Sequence, residues 1–294
     1  MSDTLTGVAV VGSANLDLVV EVSRPPRIGE TLLGRAGGRF SGGKGLNQAV
    51  ASARSGAPTR FCAVVGTDEA ADVLQHTLMD AGVVTALRRS DSAPTGVAHV
   101  LAFDDGDNSI VVAAGANAEL DADDAVTGVA GAAVVLAQLE VPLASVAAAL
   151  RAGRAAGALT ILNAAPAHAE TIGMLDDVDV LVVNETECAE LGGIDRLHAA
   201  GARTIVLTRG AGGVELHRTG DDPLQVDAFR IDAVDTTGAG DAFCGALAAA
   251  LAQGDAIETA LIRACAAGAV VAQHRGATTA ALSPTSIAAL VSSR

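Results

Sequence analysis

The chain has 294 residues, 50% of them hydrophobic, and 19 Lys and Arg against 34 Asp and Glu give it a formal net charge of −15. That length suits one sizeable α/β domain with an insertion. The acidic charge disfavours nucleic acid and anionic lipid as partners, so any phosphate has to be bound by local devices such as helix N-termini.

Targeting and redox signals in the sequence favour a cytoplasmic protein. The N-terminal MSDTLTG has neither the basic start nor the apolar run of a signal peptide, and Gln138, Glu140 and Pro142 interrupt the apolar stretch at 132–150. The four cysteines lie far apart without a C-x-x-C pair, which is typical of reduced thiols. We therefore expect no membrane partner, and the six histidines show no metal-ligand spacing.

Short β-branched runs alternate with Ala- and Leu-rich segments of helical period along most of the chain. The predicted strands are residues 8–11, 60–65, 134–138, 160–163, 178–183 and 204–208. The predicted helices include residues 46–55, 70–81 and 143–156. This alternation predicts an α/β fold with a doubly wound, mostly parallel sheet flanked by helices.

Two stretches, 17–40 and 95–113, alternate strand-like residues without a helix, and the second turns at 104–107. We interpret them as a small inserted β-sheet, a candidate lid or dimer surface. After Gly238 the chain is predicted to be helical to its end, with loops at Gly254 and at 275–284. Residues 1–294 are therefore treated as a single domain, with lid segments at approximately 15–40 and 95–113.

The heptad DTTGAGD, residues 235–241, is the strongest chemical motif. Gly238, Ala239 and Gly240 precede a helix, so their backbone N–H groups can converge on an anion where the helix dipole adds positive potential. Asp241, in the first turn, can accept the proton of an attacking hydroxyl. The alternative is a glycine turn whose acid merely satisfies the helix start. The pattern favours a phosphoryl-transfer centre.

A second glycine cluster, SGGKGLNQA, opens the first long helix. It is not a P-loop, because Gly45 stands where the Mg²⁺-binding Ser or Thr should be. Gly43 can instead bring the backbone close to a polyol, with Lys44 and Asn47 adding donors. A flexible turn with a solvated lysine remains equally open.

Polar residues at two strand ends suit sugar hydroxyls. Asn15 and Asp17 are two apart and share one face of an extended chain, and Glu140 directly follows an apolar run. The alternative is ordinary surface polarity at strand ends.

Two further motifs follow predicted strands. NETE fits a capping box with Asn184 and Glu187, and a role in holding hydrated Mg²⁺ is about as well supported. TRGAGGV, residues 208–214, either approaches ATP or turns a hairpin. Neither glycine motif matches the dinucleotide-binding fingerprint, because Glu215 in one and Phe243 in the other stand where the third glycine should be. This disfavours a nicotinamide dehydrogenase.

Taken in order, the motifs resemble the ribokinase branch of the ribokinase-like (PfkB) carbohydrate kinases. The matching segments are GSANLD, GETLLG, GGKGLNQAV, NSIVVAAGAN, LAQLEVP, NETE, TRGAGG and DTTGAGDAF. They cover nearly the whole chain. The resemblance implies a β-lid on a doubly wound domain, a homodimer formed by paired lids, and transfer of the ATP γ-phosphate to a sugar primary hydroxyl.

The resemblance also implies roles for individual residues. The sugar contacts are Asn15, Asp17, Gly43, Lys44, Gly45, Asn47, Glu140 and Asp241. Asp241 is the base, and Gly238, Ala239 and Gly240 form the anion hole. Residues along ATP are Asn184, Thr208, Gly210, Gly213, Gly240 and Cys265. A monovalent cation, usually K⁺, has as its counterparts Asp235, Thr237, Val271, His274, Gly276 and Ala280. Asn184 and Glu187 would hold Mg²⁺ indirectly.

Two positions depart from the family pattern. Cys265 stands where ribokinases usually carry Asn or His near the adenine, which puts that nucleotide contact in doubt. Leu46 replaces the Ala of the GGKGAN motif, and neither change touches the catalytic core.

Charge in the implied sugar shell bears on the substrate. Asp17 and Glu140 are opposed there by a single cation, Lys44, which favours a neutral sugar over a phosphorylated one. D-ribose, phosphorylated on its 5-hydroxyl, is the first choice. Deoxyribose, another pentose or a nucleoside such as adenosine stays open. A phosphosugar kinase, or a catalytically silent sugar- or nucleotide-binding protein of the same fold, is also compatible with the motifs.

Overall fold

A computed structural model describes residues 7–104 and 107–294. Its strands are numbered along the chain, and nine of those in the described ranges form the main sheet. These are β1 Val8–Val11, β4 Thr59–Gly66, β5 Val84–Ser90, β8 Val134–Ala137, β9 Leu159–Asn163, β10 Val180–Asn184, β11 Thr204–Thr208, β12 Val214–Arg218 and β13 Leu224–Val226. Their spatial order is β13-β12-β11-β10-β9-β8-β1-β4-β5.

The main sheet is parallel from β5 to β11, and β12 and β13 add antiparallel strands at one edge. This confirms the predicted mostly parallel sheet and all six predicted strands. The strand predicted at 178–183 begins two residues later, at Val180, because Val178 instead ends a short 3-10 helix. Strands β5, β12 and β13 were not predicted.

A second, four-stranded sheet, called the lid sheet below, comprises β2 Asn15–Val22, β3 Arg35–Gly42, β6 Gly96–Phe103 and β7 Asn108–Ala113. Its order is β3-β2-β6-β7. The inserted sheet predicted from 15–40 and 95–113 is thereby confirmed. The turn predicted at 104–107 lies partly outside the described residues, since 105 and 106 are not among them.

Helices cover both faces of the main sheet. They are α1 Lys44–Arg54, α2 Glu69–Asp80, α3 Ala122–Gly128, α4 Leu143–Ala155, α5 Glu185–Glu190, α6 Ile194–Ala199, α7 Ala239–Ala252, α8 Ile257–Ala272 and α9 Pro284–Ser292. Alternate residues of each strand point to opposite faces. Val10 accordingly joins a core with α1, α2, α7 and α8, whereas Val11 joins a core with α3 to α6.

The thiols and the helix lengths complete the description. Cys62, Cys188 and Cys244 are buried, Cys265 is partly exposed, and all four are free, as expected for reduced thiols. Among the helices of the described residues, none is long and apolar enough to cross a membrane.

The topology determines where a ligand can bind. The parallel strands β1, β8, β9, β10 and β11 end at one edge of the sheet, and crevices beyond the carboxyl ends of such strands are the usual ligand sites. Helices α1 and α7 contact each other closely and begin near that edge, at Lys44 and Ala239.

Candidate active site

Asp241 occupies the first turn of α7, and hydrogen bonds hold both of its carboxylate oxygens. Asn47 Nδ2 donates to Oδ2 at 3.0 Å, and Gln48 Nε2 donates to Oδ1 at 2.9 Å. Burial raises the pKa of Asp241, whereas the ammonium of Lys44 and the two amides act to lower it. The carboxylate is thus held by α1 against the start of α7, in a buried site.

Gly238 is the N-cap of α7 and has φ of 75°, in the left-handed region that favours glycine. A Cβ at this position would overlap Ala277. Gly240, two residues later, has open space where its Cβ would lie. The start of α7 therefore presents the backbone of Gly238 and Gly240 to a cavity, and the anion hole stays a prediction.

A cavity of about 160 Å³ lies beside Asp241. Among its lining residues are Lys44, Asn184, Glu187, Gly238 and Gly240. Burial acts to lower the pKa of Lys44, but the charges of Asp241, Glu140 and Glu187 outweigh it, so the pKa lies above its ordinary value. Lys44 is accordingly a positive charge facing the same space as the α7 N-terminus.

Asn15 is buried at the start of β2, and Asn117 orients it. Asn117 Nδ2 donates to Asn15 Oδ1 at 2.7 Å, and Asn117 Oδ1 accepts from the Ala14 backbone N–H at 2.9 Å. Because the oxygen of Asn15 is engaged, its amide nitrogen is the group left to donate. A Cβ at Gly96 would overlap both amides, so the start of β6 has to be a glycine.

Asp17 lies two residues along β2, with its carboxylate against Gly42, where a Cβ would overlap it. Its Oδ1 is buried and has no hydrogen-bond partner among the described residues. Burial, with the nearby charges of Glu140 and Asp241, raises the pKa of Asp17 to about 7. A buried acceptor without a partner fits a ligand hydroxyl.

Glu140, three residues beyond β8, connects the loop after β1 to the start of α1 by hydrogen bonds. Its Oε2 accepts from Ser13 Oγ at 2.6 Å and from the Lys44 backbone N–H at 3.1 Å. Gly43, the N-cap of α1, makes no side-chain capping bond, so the carboxylate of Glu140 supplies the negative charge that the helix start favours. Gly45 is buried against the backbone of Gly12.

A second cavity, of about 510 Å³, adjoins the first and shares Asn184, Thr208 and Gly240 with it. Its walls are largely apolar, and they include Ala228, Phe229, Ile231, Phe243, Cys265 and Ala269. Gly210 and Gly213 also line it. The residues predicted along ATP are thus brought together, and aliphatic side chains with two phenylalanines form the wall.

Two motifs left open by the sequence have both structural and cavity-lining roles. Asn184 and Glu187 form the capping box of α5, at 2.8 and 2.9 Å, and both also line the smaller cavity. TRGAGG turns the hairpin between β11 and β12, and its Gly210 and Gly213 line the larger cavity. In each case the structural interpretation and proximity to a ligand are compatible.

Asp235 joins the two loops predicted to hold a monovalent cation. Its Oδ1 accepts from the Thr237 N–H and its Oδ2 from the Gly276 N–H, both at 2.9 Å. Burial acts to raise the pKa of Asp235, but these donors outweigh it and hold the pKa below its ordinary value. Val271 and His274 are joined by a backbone hydrogen bond at the end of α8, where the second loop begins.

Comparison with known proteins settles the family. The model of the pfkB family carbohydrate kinases matches residues 5–285. This chain belongs to that family. This chain is 35% identical over 261 residues to the ribokinase of Staphylococcus aureus, a match that covers 83% of this chain and 86% of the relative. It is equally identical, over 274 residues, to the deoxyribokinase of Salmonella typhi, with 87% and 89% covered.

The fold of this chain is similar to the folds of solved structures. Arabidopsis thaliana ribokinase complexed with ribose and ATP superimposes with a TM-score of 0.87 at 33% identity, covering 97% of this chain and 98% of the other.

Several residues that shape this site were not predicted from the sequence. They are Ser13, Gln48, Asn117, Gln138 and Asn163. Gln48 was accessible to prediction, since it adjoins Asn47 in the same glycine-motif helix. Asn117 lies in the segment NSIVVAAGAN, which carried part of the family resemblance. Gln138 and Asn163 carry no local signal beyond their place at strand ends.

Proposed function

We propose that this protein is an ATP-dependent ribokinase, which transfers the γ-phosphate of ATP to the 5-hydroxyl of D-ribose and releases ribose 5-phosphate and ADP. The observation that carries the proposal is the position of Asp241. Its carboxylate lines the smaller, polar cavity beside the glycine start of α7, and the larger apolar cavity adjoins that one at Gly240. A sugar hydroxyl and a nucleotide phosphate can meet there.

In the proposed reaction, Asp241 accepts the proton of the 5-hydroxyl as that oxygen bonds to the γ-phosphorus. The bond from phosphorus to the β,γ-bridging oxygen breaks, and ADP leaves with its electron pair. The backbone at Gly238 and Gly240 and the ammonium of Lys44 stabilise the charge on the transferring group. Most of the catalysis is alignment and electrostatics.

Sugar recognition would come from the base of the lid sheet. Asn15 donates from its amide nitrogen, and Asp17 and Glu140 accept from hydroxyls. The remaining proposed sugar contacts are Gly43, Lys44, Gly45, Asn47 and Asp241. Two carboxylates opposed by one lysine favour a neutral sugar. The second candidate is deoxyribose, because the deoxyribokinase of Salmonella typhi is as similar to this chain as the ribokinases are.

Two metal ions are part of the proposal. Mg²⁺, when bound with ATP, neutralises phosphate charge, and the carboxylate of Glu187 on the cavity wall, with Asn184, fits an indirect role in holding it. K⁺ fits the two loops that Asp235 joins, since a carboxylate and backbone carbonyls are oxygen ligands. Its proposed ligands are Asp235, Thr237, Val271, His274, Gly276 and Ala280.

We further propose a homodimer formed through the lid sheets, in a cytoplasmic protein without nucleic-acid partners. All six residues of β7, an edge strand of the lid sheet, are exposed, and Ile110, Val111 and Val112 among them are apolar. The unpaired backbone groups of an exposed apolar edge strand are a template for pairing with another chain. The net charge of −15 supports the absence of nucleic acid.

The test is an ADP-release assay with D-ribose, deoxyribose, adenosine and fructose 6-phosphate, run with and without K⁺. Ribose is expected to give the highest kcat/KM, and preference for the phosphosugar would overturn the proposal. Asp241→Asn is expected to keep the fold and to lose about 10²- to 10⁴-fold in kcat, the range for a lost general base. Wild-type turnover in that variant would exclude Asp241 as the base.

A further inference from the structure

A chain of buried amides connects Asp241 to the ends of two central strands. Gln138, directly after β8, donates from Nε2 to Gln48 Oε1 at 2.6 Å. Gln48 Nε2 then donates both to Asp241 Oδ1, at 2.9 Å, and to Asn163 Oδ1, at 3.0 Å. Gln48 and Gln138 are completely buried, and Asn163 is only 8% exposed. Gln48 and Gln138 are thus shielded from water, and Asn163 lines the smaller cavity.

The chemistry of the partners determines which way the Gln48 amide faces. An ionised carboxylate only accepts hydrogen bonds, and Asn163 presents its oxygen because its own Nδ2 donates to the Val182 carbonyl. Both partners therefore require the nitrogen of Gln48. The oxygen of the same amide, Gln48 Oε1, accepts the hydrogen bond from Gln138 Nε2. A reversed Gln48 would place its oxygen against two other acceptors.

The held carboxylate is surrounded by groups whose charges compete. Those facing Asp241 from the neighbouring elements are Lys44 of α1, Asp17 of β2, Glu140 beyond β8, Glu187 of α5 and Cys244 of α7. Lys44 favours the ionised form of Asp241, whereas Asp17, Glu140 and Glu187 oppose it. Burial opposes it too, so fixed neutral donors are needed to keep the carboxylate charged and in one orientation.

We propose that Gln48, oriented by Gln138 and Asn163, is a positioning residue that holds Asp241 ionised and aligned to accept the hydroxyl proton. This inference rests on the proposed kinase function, and it assigns a role to Gln48 and Gln138, which line neither of the two cavities. Gln138 acts through Gln48 and is likewise a positioning residue. Through these hydrogen bonds, the ends of β8 and β9 hold the carboxylate of Asp241 in place.

Gln48→Met tests the role, because methionine has similar length and no hydrogen-bonding amide. We expect kcat to fall by about 30-fold, with the KM of ribose and of ATP changed less than about threefold, since alignment of the base acts on the transition state. Gln138→Met is expected to lower kcat less. If Gln48→Met does not fold, Gln138→Met carries the test, with thermal unfolding measured for both.

The matched control is the Asp241→Asn background, in which there is no base to position. There, the same Gln48 or Gln138 substitution is expected to change the residual turnover less than about threefold, because coupled residues are non-additive. A purely structural role would lower kcat equally in both backgrounds. An equal fall, or unchanged kcat in both single variants, would overturn the inference.

A readout independent of turnover separates this inference from the proposed function. The Asp241 carboxyl can be titrated by ¹³C NMR, and its signal is assigned by the loss of that signal in Asp241→Asn. The titration is run in an Asp17→Asn background, because the Asp17 carboxyl also titrates in this range. Gln48→Met is expected to raise the Asp241 midpoint by about one pH unit. An unchanged midpoint contradicts the inference. Failure of wild type to phosphorylate any sugar would overturn the function alone.

Discussion

At the scale of single residues, Asp17 shows how a proposed binding residue is kept at a cost to stability. Its Oδ1 is buried without a partner among the described residues, and burial raises its pKa to about 7 from an ordinary value of 3.8. The folded protein therefore binds this proton more tightly than the unfolded chain does. Stability is greatest below the unfolded pKa and falls as the pH rises towards 7.

Asp17→Asn is expected to remove this pH dependence. The variant should gain stability over wild type at pH 8 by about 2 kcal/mol more than at pH 5, since each pKa unit corresponds to about 1.4 kcal/mol. Thermal or urea unfolding at both pH values measures it, with exposed Asp91→Asn as the control. Equal gains at pH 5 and pH 8 would contradict the assignment. The same substitution should weaken ribose binding.

Residue-scale prediction from sequence succeeded where spacing within one strand was enough. Asn15 and Asp17 were predicted to share a face because side chains alternate along a strand, and β2 is extended there. Asn117 was missed because its bond to Asn15 joins residues 102 positions apart. No local pattern encodes such a pairing.

At the scale of elements, the N-terminus of α7 depends on a left-handed glycine beside a cavity. Gly238 and Gly254 both have positive φ, 75° and 88°, but only at Gly238 would a Cβ meet a neighbour, Ala277. The two glycines thus share a left-handed backbone conformation and differ in surroundings, which makes them a matched pair.

Substituting each with alanine separates strain from function. Both Gly238→Ala and Gly254→Ala are expected to lower the free energy of unfolding by about 1 kcal/mol or more through strained backbone. Only Gly238→Ala is expected to lower kcat, by about 10²-fold, because it disturbs the proposed anion hole. Unfolding curves and kcat measure the two effects. A similar loss of kcat in Gly254→Ala would assign it to strain instead.

Asp235 offers an element-scale test of the proposed cation loops. Asp235→Asn removes the charge that joins the Thr237 and Gly276 loops, so K⁺ activation is expected to need about tenfold more KCl, equivalent to about 1.4 kcal/mol. The measurement is kcat against KCl at constant ionic strength. Unchanged K⁺ dependence would place the cation elsewhere.

Prediction of elements was accurate where strands are buried on both faces. The β-branched runs of β1, β8 and β11 were predicted, because both faces of a central parallel strand are covered by helices. Strand β5, VTALRRS, and strand β13 form the two edges of the main sheet, and β12 lies next to β13. Their mixed polar residues give no such signal.

At the scale of the whole molecule, the exposed apolar residues of the lid sheet predict assembly. Ile110, in β7, is 53% exposed, whereas Met79 in α2 is 61% exposed outside the lid sheet. Ile110→Lys is expected to weaken the proposed dimer at least tenfold, because a charge would be buried at the interface. Met79→Lys is the control. Sedimentation velocity measures both, and an undiminished dimer in Ile110→Lys would place the interface elsewhere.

By itself the sequence determined the doubly wound fold with its small second sheet, and it supplied the motif residues proposed for the site, because periodicity and local glycine chemistry are properties of neighbouring residues. Only the tertiary structure decided how Asp241 is held. Its supports come from α1 and from the ends of β8 and β9, which are distant in the chain and meet only because parallel strands end at one edge.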